Sequence, residues 1–135
     1  AIKGKNLLVP STKEAYEVLL EQLFVTRPSI PGPVLTYFAQ EAVKHREFTS
    51  KIWVDLQLKP FLLEEQLSEL DVPTLIVWGD SDRIIHPSAA KVFEQEIKGA
   101  DLVMLDSCGH VPMLEKPSES AEHFKSFIQR VMGST

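Results

Sequence analysis

The fold of this chain is decided by Val72-Pro73-Thr74-Leu75-Ile76-Val77-Trp78-Gly79-Asp80-Ser81-Asp82. The continuous run at 74–78 between a proline and a glycine is typical of a strand buried on both faces of a parallel sheet. Two aspartates, Asp80 and Asp82, lie in the loop that follows this strand. A second short strand is predicted at 101–105, and it delivers His110 into the next loop.

Helical patterns follow both predicted strands, at 88–98 and at 117–132. The order strand, helix, strand, helix predicts two parallel strands with a right-handed crossover. Parallel sheets need several strands with helices on both faces, so two strands do not form a stable one. We therefore expect an α/β fold in which residues 71–135 form the edge of a larger sheet.

The preceding residues, 11–70, predict helices rich in apolar side chains. Ser11 is a good N-cap for the first helix, and Glu14 completes a capping box with it. The second helix is predicted at 33–47, and Thr49 or Ser50 is expected to cap a third. Their apolar side chains either pack on another part of the protein or line a lipophilic cavity, and the two explanations are compatible.

Composition excludes several classes of function. A net charge of −5 over 135 residues argues against a nucleic-acid-binding surface. No apolar run is long enough for a membrane-spanning helix. Cys108 is the single cysteine of the chain, which excludes an internal disulfide and a zinc site built from several thiolates.

The chemistry is expected where the two strands end, because ligands and catalytic groups in α/β sheets gather at the carboxyl ends of strands. A carboxylate on the Nδ1 of a histidine holds one tautomer and stabilises the imidazolium. We predict Asp82 as the partner of His110, because Asp80 follows Gly79 directly and is suited to shaping the turn. Asp106 is a further alternative, four residues before the histidine.

We predict no catalytic role for the other histidines. His45 and His123 lie on predicted helices among charged residues and are expected to be solvated. His86 is expected to be a loop residue. Cys108 as a nucleophile stays an alternative, although the sequence places no cationic neighbour or helix N-terminus beside it.

The residues at 73–87 and 108–117 resemble the C-terminal half of an α/β-hydrolase-fold enzyme. The first stretch contains Gly-Asp-Ser-Asp and the second contains Cys-Gly-His followed by Glu-Lys-Pro. In that family the aspartate of a Gly-x-x-Asp loop is the triad acid, which implies Asp82. The histidine of the later Gly-His is the triad base, which implies His110.

Residues 1–70 resemble the helical cap that this family inserts before the acid-bearing strand. The segment at 6–14 is similar to the start of the cap in monoacylglycerol-lipase-like members and related bacterial lipases. The resemblance implies a lipase or esterase that acts on lipophilic acyl esters. It implies no metal and no organic cofactor.

One part of the family pattern is missing from the sequence. The nucleophile elbow Gly-x-Ser-x-Gly does not occur, because Gly79-Asp80-Ser81 continues as Asp82-Arg83. We therefore expect a fragment that is inactive alone, with its serine upstream and with a sheet edge exposed to self-association. The alternatives are a dehalogenase, an epoxide or carbon–carbon bond hydrolase of the same fold, or a non-catalytic, partner-dependent module.

Overall fold

The structure, a computed structural model, describes residues 6–58 and 64–133. Residues 6–21 and 28–58 form one compact unit, and residues 22–27 and 64–133 form a second. The predicted cap segment 1–70 includes residues 1–5 and 59–63, and the predicted core segment 71–135 includes 134–135; these lie outside the described residues. The assignment of 1–70 as a cap stays a prediction.

The first unit is helical. Helix α1 spans Lys13–Leu23, although its last two residues belong to the second unit. The predicted N-cap at Ser11 is wrong by one residue, because the Oγ1 atom of Thr12 accepts the backbone N–H of Ala15 at 3.1 Å. Thr12 therefore stabilises the first turn of α1 as its N-cap.

Helices α2, Gly32–Lys44, and α3, Arg46–Leu58, are separated by a single residue. The prediction that the second helix continues to 47 and that Thr49 or Ser50 caps the third is wrong. His45 leaves the helical conformation at φ −89° and ψ 7°. Thr49 lies inside α3, where its hydroxyl donates to the carbonyl oxygen of His45 one turn earlier.

The second unit contains a 3₁₀ helix, Glu64–Glu69, and then alternates strands and helices. Its later elements are β1, Leu75–Gly79; α4, Ser88–Glu96; β2, Asp101–Leu105; α5, Pro112–Glu115; and α6, Pro117–Gly133. The two strands pair in parallel from Leu75 with Asp101 to Gly79 with Leu105. The predicted parallel α/β arrangement is therefore confirmed.

The core of the second unit lies between the strands, α4 and the 3₁₀ helix. Its most buried side chains include Leu67, Ala90 and Leu105. Strand β1 is buried at Ile76 and Gly79 but only half-buried at its other positions, so the expected burial on both faces is incomplete. One neighbouring strand covers β1 in the described residues, which fits a partial, C-terminal portion of an α/β fold.

A helix that crosses a membrane must be both long and apolar. None of the helices in 6–58 and 64–133 combines the length and the apolar character that a lipid bilayer crossing requires.

Candidate active site

The carboxyl ends of β1 and β2 are joined by backbone hydrogen bonds. The Asp80 N–H donates to the carbonyl oxygen of Leu105 at 3.0 Å, and the Ser81 N–H donates to that of Cys108 at 3.0 Å. Ser107 adopts a positive φ of 48°, within the turn that follows β2. The loop after β2 therefore lies against the loop after β1, as expected for neighbouring parallel strands.

Within these loops the structure brings Asp82 and His110 together. The Nδ1 atom of His110 lies 2.9 Å from the Oδ2 atom of Asp82. The other oxygen, Oδ1, accepts the backbone N–H groups of Ile84 at 2.8 Å and Ile85 at 3.0 Å. Both oxygens of this carboxylate are thus used to fix its orientation.

Burial and hydrogen bonding act in opposite directions on the pKa of Asp82. Burial, the largest effect, raises it, whereas hydrogen bonds from His110, Ile85 and Ile84 and the charge of His110 lower it. The net result is a pKa below the ordinary value of 3.8. Asp82 is ionised near neutral pH and can only accept, so we assign the proton of the pair to Nδ1 of His110.

The histidine is more accessible than the acid. The side chain of His110 is 32% exposed, whereas that of Asp82 is 3% exposed. A small cavity of about 80 Å³ lies beside the pair, lined by Val77, Trp78, Gly79, Asp82, His110 and Pro112. With Nδ1 protonated and bound to Asp82, Nε2 carries the lone pair that can accept a proton.

In the described part of the chain, the alternative acids Asp80 and Asp106 form no hydrogen bond or ion pair with His110. The Oδ1 atom of Asp80 accepts the Ser81 hydroxyl at 2.8 Å and the Cys108 N–H at 3.4 Å, so this carboxylate holds the turn. The hydrogen bond from Ser81 is the main reason that the pKa of Asp80 is lowered. Asp106 is exposed.

The remaining candidates take no part in the pair formed by Asp82 and His110. His45 pairs with Glu41 on the surface of the first unit, with Nε2 3.3 Å from Oε2. The Nδ1 atom of His86 lies 3.0 Å from the Ser88 hydroxyl, and His123 lies on α6. Cys108 is fully buried, and burial, followed by the charge of Glu115, raises the pKa of its thiol. A buried thiol with a raised pKa is a poor nucleophile.

One residue beside the site has a role that its sequence position does not indicate. The Oε2 atom of Glu115 accepts the N–H of Gly109 at 2.8 Å, directly before His110.

Within 6–58 and 64–133, no cluster of three or more histidine, cysteine or carboxylate side chains is arranged to hold a metal ion.

Comparison with known proteins agrees with the fold. The chain is 33% identical to Lipase 1 of Psychrobacter immobilis over 129 residues, which are 93% of this chain and 40% of that lipase. It is 30% identical to the monoacylglycerol lipase abhd6-B of Xenopus laevis, across 94% of this chain and 38% of that protein. The chain therefore spans about 40% of the length of the curated relatives it matches.

A solved structure shows the same similarity in three dimensions. A membrane phospholipase A, described as a bacterial virulence factor, superposes with a TM-score of 0.90 at 35% identity, across 96% of this chain and 42% of that one. The family model described as alpha/beta hydrolase fold matches residues 34–117, more than half of the chain. This chain belongs to the alpha/beta hydrolase fold family.

Proposed function

We propose that Asp82 and His110 are the acid and the base of a Ser-His-Asp triad in a carboxylic ester hydrolase. The observation that carries this proposal is the 2.9 Å contact between Nδ1 of His110 and the buried carboxylate of Asp82. The nucleophilic serine belongs to the part of the whole protein that precedes these residues. Support for an ester substrate comes from relatives that are named lipases and that are more than twice as long.

His110 acts as the proton carrier in this mechanism. Its Nε2 takes the proton of the serine hydroxyl as that oxygen attacks the ester carbonyl, and the Asp82 carboxylate stabilises the resulting imidazolium. The imidazolium then gives the proton to the departing alcohol oxygen, which leaves an acyl-enzyme. In the second half, Nε2 takes a proton from water, the water oxygen attacks the acyl group, and the proton returns to serine as the acid leaves.

We further propose that the substrate carries a lipophilic acyl group. In the first unit, α2 and α3 expose several large apolar side chains, among them Tyr37, Phe38, Phe48, Val54 and Leu56. Exposed apolar groups of this kind are suited to lining a site for a hydrocarbon chain. The segment 1–70 acts as a cap in this proposal.

The test uses the whole protein encoded by the reading frame that contains these residues. We expect it to hydrolyse p-nitrophenyl esters and to be labelled by a fluorophosphonate on one serine that precedes this chain. His110→Ala is expected to lower kcat by at least about 10⁴-fold. The isolated chain of 135 residues is expected to be inactive, because it lacks the nucleophile.

A matched control is provided by His45→Ala, since His45 also pairs with a carboxylate but at the exposed junction between α2 and α3. This variant is expected to retain the activity of the unmodified protein. Equal losses in the two variants would reject the role of His110. Transfer of oxygen from labelled water into an upstream aspartate, without serine labelling, would indicate a dehalogenase or epoxide hydrolase instead.

A further inference from the structure

Glu115, the last residue of α5, connects two segments that are far apart in the sequence. Its Oε2 atom accepts the N–H of Gly109 at 2.8 Å. Its Oε1 atom accepts the N–H of Thr26, 89 residues earlier in the chain. Thr26 belongs to the short segment 22–27, which is part of the same compact unit as the loop that carries His110.

The same segment also binds His110 through its backbone. The N–H of His110 donates to the carbonyl oxygen of Leu23 at 2.8 Å. A Cβ atom added to Gly109 would lie 2.4 Å from that oxygen and 3.0 Å from the Cα atom of Phe24. The backbone of the histidine loop therefore touches the backbone of residues 23 and 24.

These contacts fix two consecutive amide groups, those of Gly109 and His110. One donates to Glu115 and the other to Leu23, and Glu115 is itself held by Thr26. Hydrogen bonds to a carboxylate are stronger than those between neutral groups, and the loss of either acceptor atom would leave a backbone donor unsatisfied. Because a side chain follows its backbone, this arrangement sets where the imidazole of His110 lies relative to Asp82.

We propose that Glu115 is a positioning residue for the general base, acting through the backbone of Gly109 and the segment 22–27. This inference rests on the proposed function of His110. Glu115 does not touch the reacting atoms. It maintains the geometry in which Nδ1 of His110 donates to Asp82 and Nε2 can accept a proton from the nucleophile.

The kinetic test uses Glu115→Gln in the whole protein. Glutamine has one acceptor oxygen in place of two and directs an NH₂ group at a backbone donor, so at least one hydrogen bond is lost. We expect kcat to fall by about 100-fold, the effect of displacing a catalytic group by about 1 Å, with KM nearly unchanged. Glu119→Gln is the matched control, because Glu119 forms an ion pair with Lys116 at the surface. It is expected to leave kcat unchanged.

A spectroscopic readout separates this inference from the proposed function. The Nδ1 proton that His110 donates to Asp82 should give a downfield proton resonance without any substrate. We expect that resonance to shift or broaden in Glu115→Gln and to stay unchanged in Glu119→Gln. Since this signal does not require a serine, it tests the role of Glu115 even if the whole protein hydrolyses no ester.

The inference is rejected if folded Glu115→Gln protein keeps both the kcat and the resonance of the unmodified protein. If that variant does not fold, hydrogen exchange on the unmodified protein tests the inference instead. The amides of Thr26, Gly109 and His110 are then expected to be protected and to exchange together. Rapid exchange at Thr26 with protection at Gly109 would reject the inference that Glu115 joins the segment 22–27 to the backbone of Gly109.

Discussion

Gly79 lies directly against Gly109, with no space for a side chain between them. A Cβ atom on Gly79 would lie 2.2 Å from the carbonyl oxygen of Gly109 and 2.2 Å from that of Cys108. The end of β1 therefore touches the backbone of the loop after β2. This close approach lets Asp82 and His110, 28 residues apart in the sequence, share a hydrogen bond.

We expect Gly79→Ala to destabilise the whole protein by about 2–3 kcal/mol, because a methyl group at this point must displace backbone atoms. The midpoint of urea unfolding measures this change. Gly133→Ala is the matched control, since a Cβ atom there meets nothing within 4 Å. An unchanged unfolding midpoint in Gly79→Ala would show that the two loops tolerate a larger separation.

Asp82→Asn is expected to lower kcat of the whole protein by about 10⁴-fold, because an amide neither stabilises the imidazolium nor enforces the required tautomer. Asp80→Asn is expected to have a much smaller effect. The hydrogen bonds from Ser81 and Cys108 go to Oδ1, and an asparagine oxygen at that position can still accept them. A large effect at Asp80 together with a small one at Asp82 would reverse the assignment of the acid.

The lowered pKa of Asp82 predicts a dependence of stability on pH. A carboxylate whose pKa is lower in the folded than in the unfolded state stabilises the fold above the unfolded value. That contribution is lost as the pH falls through the folded value. The difference in free energy of unfolding between the unmodified protein and Asp82→Asn should therefore be constant down to the ordinary value of 3.8 and shrink below it. Urea unfolding at a series of pH values measures this, and a difference that does not change in acid would contradict it.

Local patterns in the sequence predict the elements of the second unit better than those of the first. Strand β2 has the predicted bounds of 101–105, because it is a short run of strand-forming residues with clear breaks on either side. The break between α2 and α3 is predicted several residues too late, at Thr49 rather than at His45. Neither proline nor glycine marks that break, and serine and threonine side chains can bond inside a helix as well as cap one.

The sequence likewise predicts some residues of the candidate site and not others. Asp82 and His110 are predictable because they follow successive parallel strands, whose carboxyl ends meet at one edge. The role of Glu115 is not predictable from its position, because one of its two partners is 89 residues away. Contacts of this kind depend on the tertiary fold, and Glu115 is marked in the sequence only by its place in the Glu-x-Pro that follows Gly-His.

The thiol of Cys108 is expected to be unreactive in the folded whole protein. Its side chain is fully buried, and burial raises its pKa, so little thiolate is present and no path leads a reagent to it. Alkylation followed by peptide mapping should modify Cys108 only after unfolding, and Cys108→Ala should keep the kcat of the unmodified whole protein. Rapid alkylation of the folded protein with loss of activity would return Cys108 to the list of candidate nucleophiles.

The isolated chain is expected to self-associate through its sheet. In the part of the chain that the structure describes, β1 and β2 pair only with each other, so each strand presents one unpaired backbone edge. Such edges pair with other strands, and the exposed apolar side chains of α2 and α3 add further surface for association. Sedimentation should show dimers or larger species for the isolated 135 residues and a smaller tendency for the whole protein, in which we expect further strands to cover β1. A monodisperse monomer that melts cooperatively would show that the two-stranded sheet is self-sufficient.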